Sequence, residues 1–238
     1  QPTSPMSWGA WILLLIYPVT TLQILSTLRR GFPVVVPWVD RWAIPRGIVD
    51  WCEAHRRQIA MVAVPSGIAL GIYTGILLSA FSARPFWNSG VLGPLFLVSG
   101  LSTAAALVAL ISREKREKEM FTKLDLMLIG AELALVGLFL ISLATGTAKH
   151  IEALQSITGG PFTMAFWVVF VGIGLVIPLL LEMLEMRGIG KSLAMLAPVL
   201  VLIGGYALRQ VMIDVGQDST WTRYPTQFSA EVLERLER

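Results

Sequence analysis

Six stretches of this chain are each long and apolar enough to cross a bilayer, and no other feature narrows its fold so far. They run from Pro5 to Leu28, Ile59 to Phe81, Val91 to Ser112, Leu124 to Thr145, Phe162 to Met186 and Ser192 to Val215. Each holds about 21 to 25 residues, which at about 1.5 Å of rise per residue crosses a hydrocarbon core of about 30 Å with some tilt. A water-soluble fold is excluded, because a helix apolar on every side has no polar face to turn to water. Composition agrees, with 55% apolar and 15% charged residues and a mean hydropathy of +0.68. The expected class is all-α integral membrane: a bundle of six transmembrane helices over residues 1–216, then a polar tail over 217–238.

The cations set the expected topology. Arg29, Arg30, Arg41, Arg46, Arg56 and Arg57 lie between the first and second spans, and Arg113, Lys115, Arg116, Lys118 and Lys123 between the third and fourth. Arg187 and Lys191 join the fifth to the sixth, while the opposite side holds Arg84, Lys149, Arg223, Arg235 and Arg238. The positive-inside rule then puts the three basic loops in the cytoplasm and both chain ends outside, in a multi-pass protein of the cell membrane. The net charge of +3 is thus a topology signal. The basic residues cap helices instead of forming a stripe with aromatics between them, so no nucleic-acid partner is expected.

Redox cofactors held by the protein itself are not expected either. His55 and His150 both lie outside the spans, so no b-type haem has its histidine ligands there. The single Cys52 excludes a disulfide within the chain and a cysteine-ligated iron-sulfur cluster within it. Between the first two spans, Trp38, Trp42 and Trp51 mix with Asp40, Arg41, Arg46 and Asp50, the pattern of short helical pieces in the membrane interface, broken by Pro33, Pro37 and Pro45. In the tail, Val232 and Leu236 stand four apart after Ser229, which fits a short amphipathic helix or a frayed solvated end equally.

Ionisable residues inside spans need a reason, since each costs about 3 kcal/mol or more at a helix centre unless paired or hydrated. Asp125 and Glu132 lie two turns apart on a nearly common face and could form a proton-entry ladder. Arg209 and Asp214, in the outer part of the sixth span, are poorly placed for a direct pair and join them as proton-path candidates. Buried structural pairing is an equal alternative for Glu132 and Arg209. Glu182 and Glu185, near the basic end of the fifth span, are read as a solvated rim that snorkels.

Three motifs occur in order. Ser4-Pro5-x-x-Trp8-Gly9-x-Trp11 opens the first span, Tyr73-Thr74-Gly75 leads to Arg84-Pro85-x-Trp87-Asn88, and Gly204-Gly205-x-x-Leu208-Arg209 leads to Gly216-Gln217. In this combination the chain resembles the NrfD-type family of polysulfide-reductase membrane subunits, from the first span to Gln217. Family members carry about two or more further helices before the Ser-Pro motif, so the chain looks like the C-terminal part of a larger bundle.

The resemblance implies a haem-free membrane subunit of a respiratory oxidoreductase complex. It would bind quinone or quinol, menaquinone or ubiquinone, near the outer side, with proton transfer as a further expectation. Electrons would be exchanged with an iron-sulfur subunit of several clusters docked on the outer face, and through it with a catalytic molybdopterin or multihaem cytochrome subunit. The docking surface is expected at Gln217 to Gln227 or at the loop from Arg84 to Asn88. By its spacing before Arg-Pro-x-Trp-Asn, Tyr73 matches the family's quinone-contacting tyrosine. Arg84, Trp8, Trp87 and Asn88 are candidates beside it. The family pocket also draws polar residues from the early helices, for which this chain has no positions.

Spacing gives Tyr73 separate support. Gly67, Gly71 and Gly75 form a small-residue face for close helix approach, and Tyr73 points about 200° from Gly71, free to face a cavity. Tyr73, Leu77, Ala80 and Arg84 would share one helical stripe. A tyrosine satisfied by a neighbouring backbone carbonyl is the alternative. Two other functional classes fit the same helices: a secondary transporter or ion-translocating subunit, and an inert membrane anchor.

Overall fold

A computed structural model describes residues 4–81, 83–188 and 195–219. Among these residues the fold is all-α: α1 Pro5–Gly31, α2 Val36–Asp40, α3 Ala43–Ala54, α4 Arg56–Ser79, α5 Leu92–Ile111, α6 Lys115–Ala144, α7 Ala148–Thr158, α8 Met164–Met186 and α9 Leu196–Asp218. A single 3₁₀ turn, Pro85–Trp87, stands between α4 and α5. Six of the helices, α1, α4, α5, α6, α8 and α9, are long and apolar enough to span a membrane, as the sequence leads one to expect. The protein is an integral membrane protein of all-α class. Lys191 and the tail beyond Ser219, with its Ser229 to Arg238 segment, lie outside the described residues.

The chain divides into two compact units, Gln1–Leu77 and Leu78–Arg238. In the first, Ser4 caps α1: its Oγ accepts from the Ser7 backbone N–H at 3.3 Å, and Pro5 occupies the first turn, where its missing N–H costs nothing. At the other end of α1, Arg29 donates to Asp40 at 2.8 Å, Asp50 at 2.7 Å and Glu53 at 3.0 Å, tying that end to α2 and α3. The interfacial pieces expected from Trp38 to Trp51 are α2 and α3. Two of the prolines act differently from expectation, however: Pro37 and Pro45 sit in the first turns of α2 and α3 and start these helices instead of breaking them. Helix α3 is amphipathic, burying Val49 and Cys52 while exposing Ile44, Ile48 and Trp51. Burial pushes the Cys52 thiol pKa up, leaving it a poor nucleophile.

The second unit holds the apolar core. Half of the apolar stretch of α9 is buried, against 6% of that of α1. Leu208 and Met212 of α9 pack with Phe139 of α6, Phe166 and Phe170 of α8 and Leu95 of α5. Helix α6 begins at Lys115, earlier than hydropathy places it, so Lys115, Arg116, Lys118 and Lys123 ride on a helix and not in a loop. The reason is local: Lys, Glu and Arg are strong helix formers, and the Lys115–Glu119 pair at 4.0 Å is spaced i,i+4. The first part of α8, Met164–Val176, is π-wound, so that the Ile177 N–H reaches back to Gly172 O. Such wide winding changes which residues face inward over the following turns.

Candidate functional site

The Arg84-Pro85-x-Trp87-Asn88 part of the second motif meets the third motif in the second unit. Helix α4 stops at Ser79, and Arg84 is extended (φ −122°, ψ 103°), as a residue before proline must be. The helical stripe expected from Tyr73 to Arg84 therefore does not reach Arg84. Its Nη1 instead donates to the carbonyls of Gln217 at 2.5 Å and Ser219 at 2.9 Å, placing a cation on the carbonyl-rich C-terminus of α9. Trp87 Nε1 donates to Met212 O at 2.7 Å, and its indole lies on Gly216. Phe86, between them, is fully buried edge-on to Phe139, 5.3 Å between ring centres. Asn88 is exposed at the end of the turn. Arg84-Pro85-x-Trp87 is thus the clamp that fastens the α4–α5 connection to the end of α9.

Gly216 has to be glycine for this clamp to close, since a Cβ there would overlap the Trp87 indole. Gly216→Ala is expected to displace the ring, break the bond to Met212 and cost about 1 to 3 kcal/mol. A thermal melt of the detergent-solubilised protein, followed by tryptophan fluorescence, reads this directly; an unchanged melting temperature would show that the indole has room to move.

The first motif acts within the first unit. Trp8 and Trp11 are 62% and 64% exposed, the placement of headgroup-level anchors. Gly9 is buried under the side chain of Tyr73, whose ring and hydroxyl fill the space a Cβ would need. Tyr73 is therefore not turned to an open cavity as expected from its angle on α4; it is half-buried and seated on α1 by the motif glycine. Gly67 is exposed, with nothing within 4 Å of a Cβ, so the glycine face is open at that end.

A second cluster lies wholly inside the second unit. Asp125 of α6 is fully buried and accepts from Ser102 Oγ of α5 at 2.6 Å. The Glu182 carboxyl of α8 is within hydrogen-bonding reach of Asp125. Glu182 is 1% exposed, which overturns its reading as a snorkelling rim residue. Only Glu185 fits that reading, half-exposed and 4.0 Å from Lys118. Sequence spacing missed Glu182 because three or four residues decide whether a helix end is rim or interior, and the π-wound turns before it are invisible in hydropathy.

Two turns further along α6, Glu132 is 2% exposed, with Ser99 of α5 beside it. Arg209, within electrostatic range of Glu132, donates from Nη1 to Gly205 O of its own helix at 2.6 Å. Asp214 accepts two bonds from Gln210 Nε2, at 3.1 and 2.9 Å, and is half-buried on α9. Asp125, Glu132 and Arg209 thus belong to one interior region, whereas Asp214 is engaged locally. Among the described residues no group of three or more His, Cys, Asp or Glu stands together as a metal site.

The third motif explains itself through glycine contacts. Gly204 meets Gly174 of α8 backbone to backbone, and Gly205 accepts the Thr103 methyl of α5. Adjacent glycines on α9 thereby serve two different neighbours.

Comparison with known proteins matches these features. The family described as polysulphide reductase, NrfD, covers residues 1–219. NrfD of Escherichia coli is 29% identical over 90% of this chain and 70% of its own length. A polysulfide reductase chain of Wolinella succinogenes is 28% identical over the same shares of the two proteins. A selenate reductase subunit of Mesobacillus selenatarsenatis is 28% identical over 68% of this chain and 41% of its own length. With all three motifs inside the matched region and each seated in a contact that its glycine or tryptophan makes possible, the chain belongs to the NrfD family of membrane subunits of oxidoreductase complexes.

Proposed function

We propose that this chain is the quinone-interacting subunit of a multi-subunit membrane oxidoreductase, exchanging electrons between quinone or quinol and an iron-sulfur subunit docked on the side away from the basic loops. The names of the relatives support the complex: one is a chain of a polysulfide reductase and another a subunit of a selenate reductase. The basic residues around α2 and α3, and separately those at the start of α6, support a cytoplasmic position for the segments that carry them, in the cell membrane, and an outer position for the Arg84 clamp. The carrying observation is Tyr73: a phenol inside an apolar span, held in place by the glycine of the first motif. A phenol can donate to a quinone carbonyl, and seating on Gly9 fixes its ring before the ligand arrives.

Tyr73→Phe removes only the hydroxyl. It should leave assembly intact and weaken quinone-analogue binding by roughly two- to twelve-fold, the equivalent of one hydrogen bond of about 0.5 to 1.5 kcal/mol. Gly9→Ala keeps the hydroxyl but displaces the ring, and should weaken binding at least as much. Titration of the solubilised complex with a fluorescent quinone analogue checks both; wild-type affinity in each variant would remove Tyr73 from the site. Arg84→Ala should act mainly on the α9 terminus and on attachment of the partner.

The buried acids of the second unit favour proton transfer alongside electron exchange. They also keep an ion-translocating role in view as the second reading, which solute transport by the isolated subunit would establish.

A further inference from the structure

Asp125 and Glu182 share a property that electron exchange alone does not use. Both carboxyl groups are at least nine-tenths buried, and they lie within hydrogen-bonding reach of each other. Asp125 Oδ2 and Glu182 Oε2 have no donor among the described residues, and neither carboxyl is in an ion pair there. Carboxyl groups bond to each other only through a proton that one of them carries, because ionised oxygens are acceptors alone. Ser102 Oγ, donating to Asp125 Oδ1 at 2.6 Å, satisfies one acceptor and supplies no charge.

The groups that face the pair are few. Helix α5 presents Ser102 and, one turn away, Ser99, whose buried Oγ faces Glu132. Helix α6 adds Glu132, helix α9 adds Arg209 on the Glu132 side, and helix α8 adds Glu185, paired with Lys118. Thr122 and Glu185 stand one turn from Asp125 and Glu182 respectively. Both line a groove of about 570 Å³ at the basic end, together with Lys118 and Lys123. The pair is therefore one helical turn below a groove lined by charged side chains, with a further buried carboxyl two turns deeper.

We propose that Asp125 and Glu182 hold a single exchangeable proton between them and form the entry station for proton movement in this subunit, loaded from the Lys118–Glu185 groove. Loading converts a carboxylate into a carboxylic acid. Unloading returns the carboxylate and passes the proton inward to another acceptor. Only the proton's destination at a quinone rests on the function proposed above; the pair itself does not.

The test is infrared spectroscopy of the intact complex exchanged into D₂O. The wild type should show a deuterium-sensitive protonated-carboxyl band that sodium does not displace. Asp125→Asn and Glu182→Gln should each shift it, and the double variant should lose it. Glu182→Gln should also slow quinone-coupled turnover by about 10²-fold while dye-linked electron transfer continues, and Glu182→Asp should restore most of the loss. Should a variant fail to assemble, carbodiimide labelling of the wild type mapped by mass spectrometry must still place the adduct on Asp125 or Glu182. The proposal is overturned by a band absent in the wild type, displaced by sodium or surviving in the double variant, by labelling elsewhere, or by wild-type turnover in Glu182→Gln. Loss of the effect on analogue binding in the Tyr73 series would instead sink the quinone reading and leave the pair standing.

Discussion

Gly204→Val should all but abolish assembled protein. The α8–α9 crossing places Gly204 against Gly174, and a Cβ on either residue would overlap the other's backbone, not a side chain that can rotate away. The helices would have to part along their length, and α9 supplies much of the core through Val201, Leu208, Met212 and Val215. Overpacking of a well-filled core costs about 1 to 3 kcal/mol when side chains can adjust, and about 3 or more is expected where only backbone can move. Helices within a bilayer associate through this kind of close packing, since lipid is as apolar as their own side chains. Two comparisons calibrate the result. Gly205→Ala meets the Thr103 side chain, which can turn, so the loss should be smaller; Gly67→Ala meets nothing within 4 Å and should be neutral. Yield and melting temperature by fluorescence-detected size exclusion give the order, and a normal melt for Gly204→Val would mean that the crossing is looser than described.

This ordering shows what a single sequence can and cannot convey. The Gly204-Gly205 pair is plain in the sequence, but the two partners, Gly174 and Thr103, lie on different helices and become known only from packing. The six spans were legible because apolar length is a local property, read residue by residue. Helix α7 was not: it is short, and its capping box pairs Thr147 with His150, where the familiar pattern has Glu or Gln. Tyr73 was found through motif spacing, yet the surface it rests on, Gly9, belongs to another helix and another motif. Ideal helix rise carries the Tyr73 stripe on to Arg84, whereas α4 ends at Ser79 and Pro85 imposes extended backbone on Arg84. Asp125 and Glu132 could be named in advance, since a carboxyl group in an apolar run is conspicuous. Glu182 could not, because its burial depends on the winding of the turns before it and on Asp125 across the interface.

Glu132→Gln should lower quinone-coupled turnover by about 10²-fold, the scale of losing one positioned proton-transfer group. The amide matches the carboxyl in shape, so packing around the side chain, which is 2% exposed, should hold. On the proposed path, what disappears is a group able to take up and release a proton two turns along α6 from Asp125. Dye-linked electron transfer bypasses the quinone and should stay at the wild-type level, as should attachment of the partner subunits. The two measurements together separate a relay from a brace: a structural acid would reduce assembly and both activities in parallel, whereas a relay loses only the activity that moves protons. Unchanged quinone turnover with unchanged proton uptake would make Glu132 the buried counter-charge of Arg209. A loss in Glu132→Gln combined with full activity in Glu182→Gln would place the proton entrance elsewhere than the groove between α6 and α8. Since Glu132 lies two turns along α6 from Asp125, whose partner Glu182 is on α8, comparing the two variants in one assay tests both stations of the proposed path.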